Sequence, residues 1–180
     1  MPAHCTSTAK TSIVIMAMMY LVGLKVGDRV MAIVAWGAYA DACIAPAVRC
    51  FSLPEDVHFV TAAGMATVYM TSWVALMERG AYQPGEKVLV LGASGGVGLA
   101  AVQIAKAHGG FVVGGSSSEE RGKIVLENGA DAIGALSANS PDLALIDVGL
   151  PDQSGMDLAR KIREDFPDAS FPIILMGSDA

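Results

Sequence analysis

One stretch constrains the fold more than any other: Lys87 to Gly109, KVLVLGASGGVGLAAVQIAKAHG. Val88 to Leu91 form a continuous apolar run, the pattern of a parallel strand covered on both faces. Gly92, Gly95, Gly96 and Gly98 follow in a turn. Beyond it, Val97, Ala101, Ile104, Ala105 and His108 fall on one helical face. A phosphate group needs this sequence of elements. Glycines let the backbone approach a pyrophosphate, and free N–H groups at the positive end of the helix dipole face the anion. The spacing is G-x-x-G-G-x-G rather than G-x-G-x-x-G. The strand-turn-helix setting therefore carries the expectation of a nucleotide site, against a merely tight turn.

Composition sets the outer limits. In 180 residues, 53% of them hydrophobic and 17% charged, one compact domain or two small ones with a real core is expected. The net charge of −6 is uneven: residues 118–180 hold five Lys/Arg against twelve Asp/Glu. That argues against a nucleic-acid surface there, and the small basic excess of residues 1–50 is too thin to suggest one. Cys5, Cys43 and Cys50 are an odd, scattered set, which argues against a disulfide framework and for a reducing cytoplasm. His4, His58 and His108 lie in different contexts, and no zinc site or other metal is expected. The longest apolar run, Ile13 to Val22, is too short to span a bilayer, so no membrane partner is expected and Ile13 to Ala17 reads as a strand.

Before the glycine turn the chain reads as small-barrel material. A turn at Leu24 to Arg29 leads into a strand through Val30 to Val34, Gly37 to Asp41 turn the chain, and Ala42 to Ile44 read as another strand. Phe59 to Arg79 reads as a long helix with Gly80 in the place of its C-terminal cap. After the turn, Phe111 to Val113 form the second strand. An NAD-selective fold usually ends that strand in Asp or Glu, which holds the ribose hydroxyls. Here Gly114, Gly115 and Ser116 follow, and Arg121 lies close enough to meet a 2′-phosphate, which favours NADPH over NADH. Ser117, with Glu120 three residues on, also reads as a capping box for the next helix.

Residues 23–135 resemble the zinc-independent quinone oxidoreductases of the medium-chain dehydrogenase/reductase superfamily. The resemblance rests on GLKVGDRV, WGAYADACIAP, SLPEDVHFVTAAGM, YMTSWVALMERG, QPGEKVLVLGASGGVGLAAVQIAKAHGG and LENGADAI, which run in the family's order. It implies an α/β protein, with a partial GroES-like β segment (1–58) followed by a Rossmann-type doubly wound parallel sheet whose helix and first half occupy 59–135. It implies NADPH as cofactor and a quinone or activated alkene as hydride acceptor. Cofactor-binding candidates are then Thr71 near the nicotinamide, Ser94, Gly95, Gly96, Val97 and Gly98 at the pyrophosphate, and Ser117 and Arg121 at the 2′-phosphate. Trp36 and Tyr39 are candidates to flank the acceptor, and no acid–base residue stands out. Family members often form homodimers through sheet edges.

From residue 136 the pattern changes. Leu136 stands where the family commonly has an aromatic residue, and the segment SPDLALIDVGLPDQSGMDLARKIREDFPDASFPIILMGSDA resembles the middle of a response-regulator receiver domain. Leu143 to Ile146 read as a buried strand ending in Asp147, and Leu150, Pro151 and Gly155 follow at the receiver's usual offsets. Ser154 with Asp157 reads as a second capping box. Leu158, Ile162 and Phe166 make a helical stripe, and Pro172 to Met176 a further strand. The resemblance makes Asp147 a phosphoacceptor candidate. Against it, no strand ahead of Asp147 ends in the acidic pair that holds Mg²⁺ in receivers, and Gly177 occupies the slot of the receiver hydroxyl. The chain thus reads as chimeric and short of family segments, with 136–180 a receiver-like βαβ unit completing the sheet. Three functions follow: an NADPH-dependent oxidoreductase impaired by truncation, a non-catalytic nucleotide-binding module, or a receiver-type signalling protein.

Overall fold

The computed structural model describes residues 23–134, 141–151, 153–168 and 170–177. His4, Cys5, the Ile13 to Ala17 strand, Leu136 and the join at 135–140 lie outside the described residues. The described residues fall into two compact units, divided between Ala66 and Thr67.

The first unit is small. Strand β1 (Val30–Ala32) pairs antiparallel with β2 (Cys50–Ser52), Val30 opposite Ser52 and Ala32 opposite Cys50. Leu24, Ala45 and Cys50 form its core, with Val30, Ala32 and Val34 packed on them. The expected strand at Ala42 to Ile44 is not formed; Ile44 is 81% exposed, and the partner of β1 is the later Cys50 segment. Arg29 fastens the exit from this hairpin. Its guanidinium donates to the carbonyls of Pro54 at 2.5 Å and Val57 at 2.6 Å and lies 4.6 Å over the Phe59 ring. Burial, then the nearby Cys43, pushes the Cys50 thiol up from its ordinary value.

The second unit is a five-stranded parallel sheet in the order β5-β4-β3-β6-β7, with β3 Lys87–Leu91, β4 Phe111–Gly115, β5 Ala132–Ile133, β6 Leu143–Asp147 and β7 Ile173–Met176. Helices α2 (Gly96–Ala107), α3 (Glu119–Glu127) and α4 (Gly155–Asp165) connect them. This is the expected α/β architecture. The strands of both halves of the chain share one sheet, since β6, from the receiver-like segment, pairs with β3 from Val88–Leu143 to Leu91–Ile146.

Both faces of the central strands are covered, as their unbroken apolar runs require. On one face Val88, Val90, Leu143 and Leu145 pack with Ala101, Val102 and Ala105 of α2. On the other, Leu89, Val113 and Ala144 meet Leu91, Phe171 and Ile173. β4 runs two residues further than expected because Gly114 and Gly115 stay in the strand. A Cβ on Gly114 would come 2.5 Å from Val125 of α3, so the missing side chain is what lets that helix settle.

Helix α1 (Phe59–Trp73) continues into a π-helical turn, Val74–Arg79. Gly80 donates to Ala75 O at 2.8 Å, five residues back. Gly80 closes the helix, but not in the left-handed conformation of a usual glycine cap: its φ is −81°. It is glycine because a Cβ would meet Leu143 and the Leu76 carbonyl at 2.8 Å, while Ala81 takes the positive φ of 48°. Phe59–Arg79 is the one helix among the described residues long and apolar enough to cross a membrane. Its Ala75 and Leu76 are packed in the sheet core.

Polar contacts brace the far end of α2. Asp131 pairs with Lys106 and accepts the Val112 N–H at 2.8 Å. Burial alone would raise its carboxyl, but the Lys106 hydrogen bond, the Val112 N–H and the Lys106 charge together hold it below its ordinary value. Tyr82 is buried and donates to Ala105 O at 3.1 Å. Burial, then Glu86, pushes its phenol up.

Candidate functional site

The C-terminal edge of the parallel sheet gathers most of the residues singled out in the sequence. Open α/β sheets bind ligands at this edge, where the strand order reverses. Here the reversal lies between β3, whose chain goes next to β4, and β6 on its other side.

The glycine turn leaves β3 at Gly92, with φ +80°. Gly95 donates to Gly92 O at 3.1 Å, and Ala93 donates to Gly115 O at 3.2 Å, tying the turn to the end of β4. The four glycines serve different ends. Gly92 supplies the left-handed bend. Gly98 permits the close approach of α2 to the strand, since a Cβ there would meet Ala93 Cα at 2.7 Å. Gly95 and Gly96 are exposed and form the outer surface of the turn. Gly95 is the N-cap of α2 in extended conformation, with no side-chain cap and no acidic residue in the first turn. The first N–H groups of a helix have no intrahelical acceptor, so those of Gly96, Val97 and Gly98 are left for a ligand. Ser94 is half-buried beside them.

Register carries the site sideways. Leu91 pairs with Gly115, so the residues after β4 neighbour the glycine turn. Ser117 and Arg121 are both exposed here. The cap of α3 is Ser118, not Ser117: its Oγ accepts the Arg121 N–H at 3.3 Å. The Ser117–Glu120 box is therefore not formed, because the longer β4 moves the helix start on by one residue. The Arg121 guanidinium makes no hydrogen bond or ion pair among the described residues, which leaves it open to an anion. Glu119 and Glu120 lie in the same first turn and oppose one.

Thr71 sits on α1 and lines an apolar cleft of about 390 Å³ with Val74 and Arg79 on one side and Ile174, Met176 and Gly177 of the β7 end on the other. Its neighbour Ser72 went unnoticed in the sequence. Ser72 is fully buried, with its Oγ 2.9 Å from Val68 O and 2.7 Å from Val97 O. It ties α1 to the first turn of α2, behind that helix's first N–H groups. Only its threonine-serine context hinted at a role. Trp36 and Tyr39 are fully exposed and belong to the first unit.

Asp147 ends β6 at the same edge. Its Oδ1 accepts the Gly149 N–H at 2.9 Å. A Cβ built on Gly92 would lie 2.7 Å from Asp147 Cβ, and one on Gly95 would lie 3.7 Å from its Oδ2. Ser154 caps α4, accepting from Met156 N at 3.2 Å, while Asp157 turns to Arg160 at 2.8 Å instead of completing a box. Ile162 of the expected stripe is buried, whereas Phe166 ends the helix 39% exposed.

Known proteins match this chain in two ways. A mouse (Mus musculus) quinone oxidoreductase is 42% identical over 136 residues, covering 74% of this chain and 41% of the relative. A mycobacterial protein solved in complex with NADPH superposes with a TM-score of 0.64 at 30% identity, over 73% of this chain and 44% of that one. The quinone oxidoreductase of Thermus thermophilus, solved also with NADPH, gives a TM-score of 0.67 over 84% of this chain and 57% of that one; at 23% identity it speaks for the fold alone. The chain thus spans about two fifths of the mouse relative. Separately, the family model for the response regulator receiver domain matches residues 120–180, which include the receiver-like segment. The chain is similar to quinone oxidoreductases over about three quarters of its length, and its residues 120–180 match the receiver-domain family.

Proposed function

We propose that this chain binds NADPH at the glycine turn and serves as an NADPH-dependent oxidoreductase that passes hydride to a quinone or activated alkene. The observation that carries the reading is the uncapped N-terminus of α2 behind the exposed Gly95 and Gly96. Gly96, Val97 and Gly98 hold the pyrophosphate through backbone N–H groups, with Ser94 and Gly95 lining the turn beside it. Arg121 and Ser117 face the 2′-phosphate, which NADH lacks. Thr71 lies near the nicotinamide, in the cleft beside β7. Bound NADPH would supply the hydride; the chain's own residues would bind and orient it. The same reading places the protein in the cytoplasm, without metal, membrane or nucleic-acid partners, and allows a homodimer, although the strands through which family members pair are replaced here.

A second reading, nucleotide binding without turnover, is favoured by the receiver-domain match over β6, α4 and β7, where the oxidoreductase resemblance has stopped. The receiver reading itself has Asp147 at the correct strand end. It lacks acids at the end of β3, where Leu91 and Gly92 stand, and among the described residues no three His, Cys, Asp or Glu cluster to hold a metal ion.

Purified protein separates these readings. Oxidation of NADPH on addition of a simple quinone supports the oxidoreductase; saturable NADPH binding without oxidation favours the binding module. Acetyl phosphate with Mg²⁺ followed by intact-mass measurement tests the receiver, which is rejected if no phosphoryl mass appears or if Asp147→Ala is labelled equally. Gly95→Val sets a branched side chain where the phosphate approaches, so it is expected to cut NADPH affinity by tenfold or more, roughly the worth of one or two charged hydrogen bonds. Unchanged affinity in the folded variant contradicts the assignment.

A further inference from the structure

The glycine turn and Asp147 come from the two differently derived parts of the chain, yet they meet. The Asp147 side chain packs directly against Gly92, its Oδ2 faces Gly95, and Gly149 holds the other oxygen. The carboxylate is half-buried, one residue past the Leu91–Ile146 pair, at the switch point itself. Gly95 is also the cap residue of α2, the point a pyrophosphate has to approach. A fixed negative charge therefore stands beside the place where a second one is to bind. Like charges at such range, in a partly desolvated setting, oppose each other strongly.

We infer that Asp147 sets the affinity of the phosphate site, opposing the dinucleotide's pyrophosphate and holding its binding below what the glycine turn alone allows. This rests on the proposed NADPH reading. The repulsion acts on the pyrophosphate, which NADPH and NADH share, so it is independent of the 2′-phosphate contacts at Arg121. The carboxylate is not needed for the fold in its charged form: it accepts the Gly149 N–H, and an asparagine oxygen accepts that bond equally well.

The test is a titration of wild type and Asp147→Asn with NADPH and with NADH, each at low and high salt, followed by nucleotide fluorescence. Removing one facing charge is expected to tighten both nucleotides by the same factor, about three- to tenfold at low salt, from Coulomb interaction at partly screened range. High salt should shrink that factor. Equal affinity of the two proteins, or weaker binding by Asp147→Asn, overturns the inference while leaving the NADPH reading in place; weaker binding marks the carboxylate as an acceptor for a ribose hydroxyl. Absence of saturable binding by both folded proteins overturns the inference and the NADPH reading together.

Discussion

A side chain at position 92 is excluded twice over, by the backbone turn of φ +80° and by Asp147 2.7 Å from where its Cβ would stand. Single residues of this kind were legible in the sequence when their chemistry had one use: a glycine cluster after an apolar strand is hard to read otherwise. They were not legible where neighbours are alike. In Ser116-Ser117-Ser118 the capping residue is decided by where β4 ends, and Gly114 and Gly115 stay in that strand, so the cap falls on Ser118. Asp147 was legible as a strand-end acid but not as a neighbour of Gly95, because that contact depends on β6 pairing with β3. Two predictions belong at this scale. Arg121→Ala is expected to weaken NADPH about tenfold, the worth of a charge-assisted hydrogen bond, and to leave NADH unchanged; parallel titrations check it. Asp131 has a lowered pKa, so it stabilises the fold above its unfolded-state value, and the stabilisation is lost as pH falls through the folded value. Asp131→Asn should therefore flatten the acid limb of the stability curve, measured by urea unfolding from pH 6 down to about pH 3, across the ordinary carboxylate range.

Elements were read well where length and burial leave little choice. β3 and β6 are apolar on both faces and could only be central strands, and α2 has a clear apolar face. Short segments in the first unit were not. Ala42 to Ile44 and Cys50 to Ser52 look alike as three-residue runs, and the choice between them is made by tertiary packing of Cys50 on Leu24 and Ala45. The end of α1 shows the same limit. The sequence reads as helix to Arg79, but crowding of Gly80 against Leu143 coincides with a π-helical last turn, which lines the cleft with Thr71. Ser72 is the buried tie between α1 and α2. Ser72→Ala removes its contacts to Val68 O and Val97 O and is expected to cost roughly 1 kcal/mol, read from denaturant midpoints.

At the scale of the whole molecule, sequence of two resemblances builds one sheet. Both families use βα units with parallel strands, so β6 and β7 extend the sheet beside β3 with ordinary register. The second unit should then unfold in a single transition. Leu145→Ala, in the receiver-like part, empties a fully buried position and is expected to cost about 2–5 kcal/mol. Val90→Ala, in the oxidoreductase-like part, should shift the same transition; two separate transitions would mean two independent folding units. The proposed function requires that this joined sheet still present a working phosphate cradle at its switch point. Fluorescence titration of the purified chain with NADPH and NADH tests that most directly. The expected result is saturable binding, tighter for NADPH and lost in Gly95→Val; a folded protein that binds neither nucleotide, or binds both equally well with Gly95→Val unaffected, contradicts it.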